Sequence, residues 1–211
     1  MDTTAFSSAL RTISGALETP VIVILLIFIV AVVVLLGSLV AEFFTERRRL
    51  KVRMPILVDE LRRENDSLLR TIDGSGLLKR QKKALTELTA HPELTDVMRE
   101  ALAVRLLEEE KSRFDNIVRI SEVIARLGPM LGLLGTLIPL GPGIVALGQG
   151  DTHTLSTSLL TAFDTTVAGL VCAAVATVIS TIRKAWYNNY MSILDTLMEC
   201  VLEVMKSDAE G

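Results

Sequence analysis

The chain has 211 residues, half of them apolar, with a mean hydropathy of +0.46 and a net charge of −3. Soluble domains of this length are less oily, and only 4% aromatics argues against a soluble core built around rings. The charges are segregated along the chain, so the net value points to no nucleic-acid partner; the isolated His91 and His153 and the distant Cys172 and Cys200 offer no metal-ligand spacing, disulfide or cofactor site.

Residues 1–20 form an arm with a single base, Arg11. The first apolar run, Val21 to Ala41, holds 21 residues without a charge. At about 1.5 Å per residue it covers roughly 31 Å, enough for a bilayer core of about 30 Å. It is longer than a signal-peptide core and is expected to be a retained anchor, with the first span at 21–44. Residues 45–127 carry 18 of the 22 Lys and Arg. Within them, Arg47, Arg48, Arg49, Lys51 and Arg53 cluster below the first span, where they would meet lipid headgroups. The helix of the first span is expected to continue over Glu42–Ile72, with a kink at Pro55, and Asp73–Gly76 ("DGSG") reads as a turn. A helix is expected to start near Pro92, and Phe114, Ile117, Val118, Ile120, Val123, Ile124 and Leu127 recur at helical spacing. No breaker separates that helix from a second span at 128–148. A loop without bases follows at 149–158, then a third span at 159–182. Arg183 to Met205 reads as an amphipathic helix, its apolar face built from Trp186, Tyr190, Ile193, Leu194, Leu197, Val201 and Val204.

The distribution of bases assigns sides. Residues 45–127 and 183–211 lie in the cytoplasm, and the N-terminal arm and the 149–158 loop lie outside. The fold class is therefore an all-α membrane protein with three transmembrane helices and long cytoplasmic helical extensions, in the cell membrane.

The three spans differ in character. The first is rich in Ile, Val and Leu, as lipid contact requires. In the second, Gly128, Gly132, Gly135, Pro139 and Gly143 form a smooth stripe at steps of three and four. In the third, Ala162, Thr166, Gly169, Ala173, Thr177 and Ser180 do the same. Such stripes let membrane helices approach closely, and plain helix packing explains them without any passage for ions. Thr136 in the second span, and Thr165 and Thr166 in the third, add hydroxyls. Asp164 is the stronger signal, because an ionisable group inside a span is costly unless it faces protein or water. An interfacial acid near the outer mouth is the competing reading. No nucleophile–base pair, Walker loop or paired histidines is present, so an enzyme is not expected.

"LGLLGT" (Leu131–Thr136), a short turn, and then "TAFDTTVAGLVCAAVAT" (Thr161–Thr177) resemble the MotA/TolQ/ExbB proton channel family, most closely its TolQ and ExbB branch. The resemblance implies a ring of five copies, with the second and third spans lining a central pore. It implies two copies of a single-span partner of the TolR, ExbD or MotB kind inside that pore, whose own aspartate carries the ion. Thr136 and Thr166 match the family's threonines on the ion route. Two departures stand out. The family's acid falls where this chain has Thr161, and Asp164 lies three residues on, about 60° around the helix at 100° per residue. Pro139 stands where the family commonly has glycine, and "PLGPG" is expected to bend the helix.

The expected function is a pore-forming subunit of a proton-driven motor, with Na+ as the alternative ion. A helical membrane scaffold that clamps a partner without conducting ions is the competing class.

Overall fold

The computed structural model describes residues 3–44, 72, 74–75, 77–91 and 94–210. The expected kink at Pro55, the basic cluster Arg47–Arg53, Asp73 and Gly76 of the "DGSG" turn and the helix start at Pro92 lie outside the described residues. Four helices are described: α1 (Thr3–Glu42), α2 (Lys79–Thr89), α3 (Asp96–Gly148) and α4 (Thr152–Glu210). Among the described residues there is no strand. α1, α3 and α4 are each long and apolar enough to cross a bilayer. The molecule is an all-α, multi-pass membrane protein.

α3 continues for 53 residues through Pro129, Pro139 and Pro142. Each proline lacks an N–H and leaves the carbonyl four residues back without its helical partner. A membrane span tolerates this where neighbouring helices or water re-satisfy the backbone. α3 ends where Gly150 adopts φ +79°. Gly150 N–H donates to Leu147 O at 3.0 Å and Asp151 N–H donates to Ala146 O at 2.9 Å, a Schellman closure that needs a residue without a Cβ. Asp151 then caps α4, its Oδ1 accepting from Thr154 N–H at 3.0 Å. The link between the two helices is only Gln149–Asp151. Residues 152–158, read from sequence as loop, are the first turns of α4, because Asp151 starts the helix as soon as Gly150 has reversed the chain.

The chain divides into two compact units, Met1–Ser38 with Arg119–Thr181, and Leu39–Val118 with Ile182–Gly211. In the first, α3 and α4 pair antiparallel and α1 packs alongside. Val32 is buried with Ile124, Cys172 and Ala176, and Val21 and Leu25 with Ile138. The share of side chains buried differs by span: 17% in the most apolar stretch of α1, against 33% in α3 and 39% in α4. α1 is thus the helix that leaves most of its Ile, Val and Leu open to lipid.

The second unit has a conventional core. Leu85 and Leu88 of α2 pack with Leu194, Leu197, Met198 and Val201 of α4, all at most 1% exposed. Each such side chain contributes about 1.5–3 kcal/mol of burial in water. Gln81 Nε2 donates to Tyr190 O at 3.0 Å while its Oε1 accepts from Leu78 N–H at 3.1 Å, so a buried amide is satisfied on both sides. Phe114 stacks on Tyr187 with ring centroids 4.3 Å apart. Arg183, 3% exposed, lies 3.4 Å from Glu42 through Nε and Oε2.

Candidate functional site

The α3–α4 hairpin holds every candidate residue. Its register follows from the glycines. A Cβ placed on Gly128 would meet Gly169 O at 2.8 Å and Ala173 Cβ at 3.2 Å. On Gly132 it would meet Thr165 O at 3.3 Å and the Cα atoms of Gly169 and Thr166 at 3.4 Å. On Gly135 it would meet Thr165 Cβ and Oγ1 at 2.7 Å, and on Gly143, Ser158 Cβ at 3.0 Å. Gly169 is the tightest, since a Cβ there would lie 2.5 Å from Gly128 O and 2.9 Å from Gly132 Cα. The two small-residue stripes therefore face each other within one chain. Pro139 is buried in the same stretch of α3. The face of α3 that carries the glycines is taken up by α4 of the same chain, as close packing of membrane helices requires.

The hydroxyls sit in and beside this seam. Thr165 is buried against Gly135, its Oγ1 donating to Thr161 O and Ala162 O, both at 3.0 Å. Thr166 is half-buried. Its Oγ1 lies 3.0 Å from Ala162 O on its own helix and 3.4 Å from Gly132 O across the seam. Thr136 is half-buried and donates to Leu133 O at 2.6 Å. The register places Thr136 level with residues 162–165 of α4, so the three threonines and Asp164 lie within about one helical turn of height. Thr161, at the family's acidic position, is half-buried and donates to Thr157 O.

Asp164 does not point into the seam. It is exposed on the chain, on a face of α4 whose neighbours Leu160, Val167 and Val171 are 60%, 60% and 57% exposed. A carboxylate among aliphatic side chains on a membrane span needs cover by protein or water. The seam and Asp164 thus present two surfaces: a closed one, dry and packed, and an open one with an acid in it. In the turn that joins the two helices, Asp151 has a displaced titration. Its carboxyl is held below the ordinary value, chiefly by the hydroxyl and then the N–H of Thr154.

Sequence reasoning found the glycines and threonines but not which surface each serves. It also gave no sign that Ile124 of α3 packs level with Val32 of α1, which the register shows.

Comparison with known proteins agrees with this hairpin. The model of the MotA/TolQ/ExbB proton channel family matches residues 74–196, which include the whole of α2 and α3 and most of α4. The Biopolymer transport protein exbB1 of Vibrio cholerae serotype O1 is 30% identical over 123 residues. That match covers 56% of this chain and 54% of the relative, so it spans about half of each. With more than half of its length matched by the family model, and with the glycine-paired spans in the matched region, the chain belongs to the MotA/TolQ/ExbB proton channel family.

Proposed function

We infer that the chain is the ring-forming, pore-lining subunit of a motor in the cytoplasmic membrane, driven by the proton motive force. It works with a single-span partner of the TolR, ExbD or MotB kind, five copies enclosing two. The N-terminus lies outside and the C-terminus in the cytoplasm, as the distribution of bases requires. Ion flow past Thr136 and Thr166 drives motion of the partner within the ring, with Asp164 drawing protons to the route and H+ preferred over Na+.

Asp164 is the observation that carries this reading. An acid exposed on an apolar face of a span is stable when copies of the chain, or water between them, cover it. The family membership and the relative's name, a transport protein, support the same class.

The test is proton flux into liposomes holding the chain and its single-span partner. Asp164→Asn should lower flux more than Asp151→Asn, which removes an acid from the turn. Equal effects would reduce Asp164 to general surface charge and count against the reading. The scaffold alternative draws on the seam, where Thr165 and Thr166 donate to backbone carbonyls as packing residues do. A scaffold predicts no flux from any variant, while co-purification with the partner fits both readings.

A further inference from the structure

We propose that one face of α3, carrying Arg119, Glu122 and Arg126, lines a water-filled vestibule on the cytoplasmic side of the ion route. This rests on the ring reading above, and it assigns residues that the threonines and Asp164 do not cover.

Depth is the first observation. Sequence hydropathy starts the second span at Gly128, which leaves these charges in the cytoplasm. Packing places them elsewhere. Val32 is buried with Ile124, and Ala31 and Ala125 pack on the same cluster. Val21 and Leu25 cluster with Leu131 and Ile138. In that antiparallel register Arg119 falls level with about Gly37, Glu122 with Val34, and Arg126 with Val30. All three levels lie inside the uncharged run Val21–Ala41. Arg126 is then about 16 Å from the cytoplasmic end of a core about 30 Å thick. That is three helical turns in, beyond the reach of a snorkelling side chain.

Direction is the second. Steps of three and four put the three residues within about 60° on the helix. Arg119 and Arg126 are exposed, so these two side chains are left open by α1 and α4 of the same chain, while Glu122 between them is half-buried. The same face continues outward through the exposed Pro129 and Leu133 and reaches Thr136. Charged residues at such depth face a bundle interior or a water-filled cavity. A face that joins a charged inner half to Thr136 has the geometry of a lining. Two guanidiniums and one carboxylate per chain give the vestibule a net positive charge, which raises the electrostatic barrier to cations, protons included, at the inner end of the route.

Water accessibility tests this without any measurement of flux. Arg126→Cys, Arg119→Cys and Val33→Cys are made singly in a Cys200→Ser background of the full chain, in inside-out membrane vesicles. Val33 is 66% exposed on α1 at nearly the depth of Glu122 and serves as the lipid-facing reference. A membrane-impermeant maleimide should label the Arg126→Cys and Arg119→Cys proteins at least about tenfold faster than the Val33→Cys protein, because maleimide reacts with the thiolate that only water permits. Equal rates for Arg126→Cys and Val33→Cys would place Arg126 against lipid or dry protein and overturn the proposal. If Arg126→Cys fails to accumulate, Glu122→Cys gives the same reading. Labelling without ion flux would keep the vestibule and remove the ion route; flux without labelling would do the reverse.

Discussion

Gly169 has room for a hydrogen and little more: Gly128 O and Gly132 Cα both stand within 3.0 Å of where a Cβ would go. Gly169→Ala should therefore force the two spans apart and cost about 1–3 kcal/mol, read as a lower unfolding midpoint in mixed micelles. Gly37 on α1 meets nothing within 4 Å. Gly37→Ala should be neutral or stabilise by up to about 1 kcal/mol in the same assay, since it removes only a helix-weakening residue. Both glycines look alike in sequence, because spacing gives the stripe but not the helix it meets. Thr166→Val keeps the shape and removes a hydroxyl shared between Ala162 O and Gly132 O. Stability should change by about 0.6 kcal/mol, typical of polar contacts between membrane helices, while proton flux is lost. Undiminished flux would take Thr166 off the route. Asp151 gives a pH prediction. Its folded value is depressed, so its capping of α4 is complete above the ordinary aspartate value of 3.8 and is lost as pH falls through the lower folded value. Amide exchange at Thr154 should speed up in that acid window in the native protein, and Asp151→Asn should remove the step.

Each helix shows which physical rule made it legible. The C-terminal part of α4 was readable from period alone: Tyr190, Leu194, Leu197, Val201 and Val204 are all buried. Tyr187 and Met198 are buried too, on the same face, one position beside the residues that period picked out. Gln81 was not readable, because a glutamine in the basic run "KRQKK" looks solvated until Tyr190 O appears beside it. Gln81→Leu should leave Leu78 N–H without its acceptor and cost about 1–3 kcal/mol, seen as faster proteolysis of α2. The level of α3 against α1 was not readable for a related reason: hydropathy shows where the charges stop, whereas packing against Val32 sets Ile124 level with the middle of the α1 run. Residues 3–20 and 152–158 are helical as well, although their Ser, Thr and Gly content weakens any helix signal.

At the scale of the molecule, three spans of unequal burial stand against a single apolar surface type. α1 offers lipid a face of Ile and Val; α3 and α4 bury more and carry Asp164, Arg119 and Arg126 on surfaces that one chain leaves open. Charged groups in a membrane span need cover by protein or water, which is the premise of the proposed ring. The most direct measurement is proton uptake by liposomes carrying a pH-sensitive dye and the chain together with its single-span partner, under an imposed inside-negative potential. Uptake should be fast with wild-type protein and fall to the level of empty liposomes with Thr166→Val, while the complex still purifies intact. Uptake no faster than in empty liposomes from an intact wild-type complex would contradict an ion-conducting hairpin and leave a scaffold.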